Sequence, residues 1–532
     1  MSQRKFYKPI LLLLTVVLLL GSSAVQKQLN GDRKTMGLVR MDNPLENAPP
    51  VLAFTTVALG GFRGIIANML WLRAMQMQQD SKYFEMVQLA DWITKLQPNF
   101  TTVWMHQAWN MAYNISIKFP NQHDRWLWVK RAIELLRDEA LRYNPHDVLV
   151  HRELAWFFQH KIGGNLDDGH LYYKLSWAYD MSKVLGNGPV NFDELLNPQN
   201  EAQSNRVHTL RQDYKMDPAV MKEADEKYGP LDWRMPESQG IYWGVKGLKE
   251  VRGDVDLLPL RRIIYQCMQI AFQRGRLVIN AIEGKAEMTP NVDIIPNVNR
   301  TYEEMIAAEA KVAGAVENLH NAHGNFLLDA VFVLYLHNRE ADANYWWNYL
   351  KKKYSFKTDI YPSLDAFVVE RVTGYAVREE GDMHRMRATI DGYVSRAYYL
   401  LAVGEDQQAF GHMRMAEVIW KAHQDKIKTF EQAERRLSLP PMARIRKDVL
   451  DQVTDMEKSG WNPQLLAQLY TKLELPMPES LTSKMSVVVA PTAKDVKTTG
   501  LVPVAPDATK DKDKKKEGAK KGDAKSKEAP KK

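Results

Sequence analysis

The chain holds a single cysteine, Cys267, in 532 residues. No internal disulfide can form, so stability has to come from packing. Cys267 lies in an apolar run with Ile263, Ile264, Met268 and Ile270, and reads as a small buried hydrophobe,. Catalytic signatures are missing too. There is no Gly-x-Ser-x-Gly elbow, no phosphate loop ending in Lys-Ser/Thr and no His-Glu-x-x-His helix,. Gly60-Gly61-Phe62-Arg63-Gly64 lacks the phosphate-loop lysine and reads as a turn that lets backbones approach,. His320 with His323, and His146 with His151, lack a third ligand at zinc spacing,. Asp167-Asp168 and Glu303-Glu304 are adjacent, so they do not share a helical face and read as solvated charge. No catalytic, cofactor or metal site is predicted.

Excess charge is absent from the body. The net charge is +8, but Lys510 to Lys532 carries eleven Lys against five Asp or Glu, which is +6. A body near neutrality excludes the basic face of a nucleic-acid-binding protein. The Lys-rich tail instead suits an anionic polymer or lipid. The apolar run at the N-terminus, Ile10 to Leu20, is shorter than the roughly 20 residues that span a bilayer comfortably,. With Arg4, Lys5 and Lys8 before it and Ser22 and Ala24 after it, residues 1–25 read as a signal anchor or signal peptide,. The body is then expected outside the cytoplasm, as a single-pass protein of a bacterial cell membrane. A second apolar stretch, Val51 to Trp71, contains Arg63 and is expected to open the body as a buried helix from near Gly64 through Leu72 rather than cross the bilayer,.

What the sequence does contain is a repeat. Leu96-Gln97-Pro98 is followed by Trp104, Ala108, Trp109 and Tyr113; Tyr143-Asn144-Pro145 is followed at the same offsets by His151, Ala155, Trp156 and His160. Periods of this order mark stacked helical hairpins. Helices are predicted over Lys82–Leu96, Thr101–Ile115, Trp126–Tyr143 and Val148–Ile162. This stretch resembles the tetratricopeptide-repeat family. Trp104 and Ala108 match the first helix of one repeat, Ala140 and Pro145 the end of its second, and Leu154, Ala155 and Phe158 the next first helix. Gln107 and His151 depart from the family's pattern. The spacing also exceeds its roughly 34 residues, which suggests an insertion around Ser116 to Asp124. The resemblance implies an all-α, irregular solenoid of helical hairpins that binds other proteins along a groove.

The remaining organisation follows from turn and capping signals. Residues 26–50 read as a linker, 51–185 as the repeats and 186–255 as an irregular insert that is a candidate contact surface. The insert holds one short helix, with Asp217 as N-cap, Pro218 at its first position and Gly229 beyond its end. Residues 256–475 read as a second helical array. It begins with a helix from Leu260 to Asn280, followed by a loop to Arg300 and a capping box at Thr301 and Glu304. Hairpins follow over Phe326–Leu336 with Ala341–Tyr354 and Met386–Val403 with Asp406–Lys428, the latter turning at Gly404. Helices over Met442–Val453 and Gln464–Leu473 complete the array. Residues 476–532 cannot bury a core and are expected to be disordered.

The candidate site is a protein-binding groove. The resemblance places Trp109 and Trp156 on the groove-lining helix face, with Met105, His106, Arg152, Glu153 and Gln159 beside them, while Trp104 is expected to pack in the core. The expected function is a membrane-anchored, extracytoplasmic scaffold that recruits a protein partner of an envelope complex. The alternative is an exported glycan-processing or glycan-binding helical protein. As an enzyme it needs two carboxylates roughly 5–10 Å apart in the groove.

Overall fold

In a computed structural model, residues 4–35, 62–280, 282, 286–309, 315–373, 383–427, 438–455, 459–478 and 481–482 are described. Among the described residues the fold is all-α apart from one short ribbon. The chain divides into two units, Met1–Val103 and Trp104–Lys532.

In the first unit, α1 spans Arg4–Thr35, so the first ten residues of the expected linker are helical. Among the described residues no helix is long and apolar enough to cross a membrane. Helix α2 (Phe62–Gln79) pairs with α3 (Tyr83–Leu96). Ala67 and Ala74 of α2 are buried against Met86, Leu89, Ala90 and Ile93 of α3, small residues on one side admitting larger ones from the other. The expected buried helix is thus longer than Gly64–Leu72 and buried on one side only. The Gly60-Gly61 pair lies outside the described residues.

The second unit is built from hairpins that pack on their neighbours. Helix α4 (Thr101–Trp109) runs on into a π segment, Asn110–Ile115, and a 3-10 turn, Ser116–Lys118. Asn121 then caps α5 (Gln122–Tyr143), accepting from the His123 amide, and α5 contains a second π segment over Leu135–Ala140. Asp147 caps α6 (Val148–Trp156), which continues as a π segment over Phe157–Ile162. Helix α7 covers His170–Leu185. The break at Phe119–Asn121 is short, so the length beyond a 34-residue period lies in long helices and not in an insertion at Ser116–Asp124.

Residues 186–255, expected to be irregular, hold four helices: α8 (Phe192–Leu196), α9 (Glu201–Gln212), α10 (Pro218–Tyr228) and α11 (Pro236–Glu250). The cap at Asp217 and the end at Gly229 fall as the sequence indicates. Helix α11 has a buried run from Pro236 through Val245. A helix buried on every side shows no apolar stripe, and its glycines resemble loop signals. In fact Gly240 faces Cys267 and Ala155, Gly244 faces Ile264, and Gly247 faces His151. These three positions bring α11 against both α6 and α12 (Leu258–Arg274).

Helix α12 stops at Arg274 instead of reaching Asn280. The chain turns into an antiparallel pair, β1 (Arg276–Ile279) and β2 (Ala286–Thr289), with Leu277 opposite Met288. Helix α13 (Ile295–Glu309) starts ahead of Thr301, whose hydroxyl donates to the Asn297 carbonyl inside the helix, so Thr301 is not its cap. Then follow α14 (Ala315–Leu336), α15 (Glu340–Lys353), α16 (Leu364–Thr373), α17 (Met383–Ala402), α18 (Asp406–Ile427), α19 (Met442–Thr454) and α20 (Pro463–Lys472). Gly404, at φ +84°, makes the turn between α17 and α18. Helices α12, α13, α14 and α15 pack in succession, while α17 holds α18, α19 and α20. The Lys-rich tail lies outside the described residues.

Candidate functional site

The repeat is reproduced in element boundaries. Helix α4 and its π segment occupy 101–109 and 110–115; α6 and its π segment occupy 148–156 and 157–162. Every boundary is displaced by 47 residues (148 − 101, 157 − 110). In each case an amide bonds five residues back, Ser116 to the Met111 carbonyl and Gly163 to the Phe158 carbonyl. Single π turns inside helices are rare and concentrate at functional sites. Two at one repeat position mark these segments as a built feature.

The two segments carry an aromatic ladder. The Trp109 ring, 45% exposed, stacks on Tyr113 at 4.5 Å. Tyr113 Oη lies 2.8 Å from His160 Nδ1, a link between residues one repeat period apart. His160 in turn stacks on Trp156 at 4.4 Å and 16°. The Arg152 guanidinium lies 5.2 Å over the Trp156 ring and bonds Glu153 at 2.6 Å. The ladder therefore runs Trp109, Tyr113, His160, Trp156, Arg152. Burial raises the Tyr113 phenol well above its ordinary value, aided by nearby Glu153. Burial and then Lys161 lower His160. A neutral phenol and a neutral imidazole make this an uncharged hydrogen bond.

The predicted residues divide accordingly. Trp109 and Trp156 join through Tyr113 and His160, and Arg152 and Glu153 adjoin Trp156. Burial raises the Glu153 carboxyl, and Arg152 opposes that shift. Met105 and His106 are half-buried one turn before Trp109, and burial lowers His106. Gln159 is half-buried on the π segment, its Oε1 without a hydrogen-bond partner. The site expected from the sequence does not include Tyr113 and His160, although both occupy matching offsets in the aligned motifs. Trp104 is buried and stacks on Tyr143 at 6.0 Å.

Behind the ladder lies a charged interior. The Lys161 ammonium sits 5.0 Å over the Tyr113 ring and pairs with Asp167 at 2.8 Å. Lys174 bonds the Gly164 carbonyl at 2.6 Å, and Arg274 bonds the Gly163 carbonyl. Burial holds Lys174 down at about 8. Glu237 is fully buried with its carboxyl raised by burial, and Oε1 stands 3.6 Å from Arg274 Nε. These groups clamp the loop that follows the Phe157–Ile162 π segment, so the ladder's inner edge is fixed.

The other paired candidates serve as bonds within the fold. His320 and His323 both meet the Tyr354 hydroxyl, at 2.9 and 3.1 Å, and His146 meets the Glu250 carbonyl at 2.6 Å. Asp168 pairs with Arg125 while Asp167 points inward to Lys161. Glu303 pairs with Lys353, and Glu304 with Lys227. Cys267 is buried and its thiol is pushed well above the ordinary range, first by burial and then by Glu237. Among the described residues no group of three metal-ligating side chains occurs. No family model, curated protein or solved structure matches the chain.

Proposed function

We propose that the protein is a tetratricopeptide-like scaffold of the bacterial cell envelope, anchored by its N-terminal segment, that captures an extended segment of a partner protein on the aromatic ladder. The supporting observation is the twofold use of one helix-to-π segment, which sets Trp109 and Trp156 at equivalent positions and couples them through Tyr113 and His160. Aromatic rows with a flanking Arg suit extended peptide backbones, because rigid rings give contact area at low entropy cost. Replacing both Trp109 and Trp156 by Ala is expected to leave helicity and melting close to wild type. Capture of partner by a photo-crosslinker at Met105 in intact membranes is expected to fall to background. Removing a Trp anchor commonly costs about 2 kcal/mol or more in binding. Unfolding of the double variant, or undiminished crosslinking, sinks this reading.

A glycan-binding alternative draws on the half-exposed face of Trp109, since a sugar ring stacks on the same surface. Its enzymatic form needs a second carboxylate, and Glu153 is already held by Arg152. Quenching of tryptophan fluorescence by soluble oligosaccharide, lost in the double variant, would favour it.

A further inference from the structure

Helix α2 is apolar on two sides and packed on one. Its inner side places Ala67 and Ala74 against α3. Its outer side presents Ile65, Met69 and Leu72, which are 54%, 67% and 70% exposed. Their spacing of four and three residues aligns them in one stripe along the helix. A single exposed leucine needs no explanation, but an ordered row of three large apolar side chains does. Phe84 and Trp92 of α3 add exposed aromatic surface to the same hairpin.

Charge in the surrounding sequence indicates what covers this stripe. From Asn47 to Gln79 there is no Asp or Glu, and Arg63 and Arg73 are the only charged residues. Arg73 is exposed beside Leu72. An apolar outer face with cations and no anions suits a hairpin resting on a membrane surface, with α3 covering the helix's inner side,. Its apolar side chains enter the acyl boundary and its arginines meet anionic headgroups. The chain length fits as well. Residues 36–61 are the only link between α1 and α2, so an α1 attached to a bilayer would keep α2 near that bilayer. This last point rests on the membrane attachment proposed above.

We propose that α2 is a second membrane contact, lying on an anionic lipid surface with Ile65, Met69 and Leu72 in the acyl boundary. The experiment uses the full chain carrying Leu72→Cys with an environment-sensitive fluorophore; the buried native thiol at Cys267 stays unlabelled. Vesicles of phosphatidylglycerol and phosphatidylcholine carry a nitroxide quencher near the headgroup end of the acyl chain. Most of the fluorescence at residue 72 is expected to be lost to the quencher, with less loss when Arg73→Glu is added. Unquenched emission at residue 72 overturns the proposal. So does shielding of the label without lipid that grows with protein concentration, which would assign the stripe to a second copy. A parallel label at Leu18→Cys reports on α1 alone. Quenching at 72 without quenching at 18 would remove the anchor reading and leave this one standing.

Discussion

His151 is the residue at which the second repeat departs from the first, and the fold explains why. One period earlier the same position is Trp104, stacked on Tyr143. At His151 the helix α11 comes so close that a Cβ on Gly247 would stand 2.8 Å from the histidine Cβ. A full indole has less room there. The imidazole is completely buried, with Nε2 2.8 Å from the Pro145 carbonyl. Burial lowers its pKa to about 4, against a smaller opposing effect of that carbonyl. The direction sets the pH response. Above the ordinary histidine value of about 6.5 both folded and unfolded chains hold the ring neutral. Below it the unfolded chain takes a proton that the fold refuses, so stability is lost as pH falls from about 6.5 towards about 4,. The difference between those values corresponds to about 3 kcal/mol. Other buried groups titrate in the same range, so the measurement is a comparison. The gap in melting temperature between wild type and His151→Asn should narrow from pH 7.5 to pH 4.5. A constant gap would mean that the ring does not carry this linkage.

At the scale of elements, α11 shows how a buried helix can look like a loop. Gly240, Gly244 and Gly247 are needed because α6 and α12 press against that helix. A Cβ at Gly240 would lie 2.5 Å from Cys267 Sγ and 3.3 Å from the Ala155 carbonyl oxygen. Gly240→Ala should therefore overpack the junction and cost about 1–3 kcal/mol. Because the nearest obstacle is a side-chain atom, Cys267→Ala in the same chain should recover part of that loss. Strict additivity of the two changes in unfolding midpoint would count against this packing, since residues in contact couple. The same helix marks the limit of what could be read from the sequence. Amphipathic hairpins were legible: the helical run over Val148–Ile162 follows from Pro145 and Ala155, and Gly404 announces its turn, whereas the π segment at its end was not. A helix without a polar face was not legible. Neither was a ribbon of four-residue strands following an apolar helix, because Arg276–Ile279 continues the same apolar run. In the candidate site the two tryptophans could be read from their shared offset from proline. The link between them could not, since pairing Tyr113 with His160 depends on how two hairpins stack.

For the whole molecule, the proposed envelope topology rests on charge placed at one end. Arg4, Lys5 and Lys8 precede the apolar run, and Pro9 to Gln26 is an uncharged stretch of eighteen residues between Lys8 and Lys27. At 1.5 Å per residue such a helix measures about 27 Å, a little under a typical hydrocarbon core of about 30 Å. Flanking lysines can make up that difference by extending their ammonium groups towards the interface. Positive charge before the first apolar segment favours retention of that end in the cytoplasm, so under the proposed anchor the ladder and the tail would lie on the opposite side. Crossing back through Val51–Trp71 would bury Arg63 at a cost of about 3 kcal/mol on insertion scales. An alkaline phosphatase fused after Pro476 is accordingly expected to be active, and a fluorescent protein that matures only in the cytoplasm is expected to stay dark at the same position. The reverse pattern would put the body in the cytoplasm and remove an envelope partner from consideration. It would leave the aromatic ladder as a candidate surface, because Trp109 and Trp156 owe their coupling to the hairpins and not to the compartment.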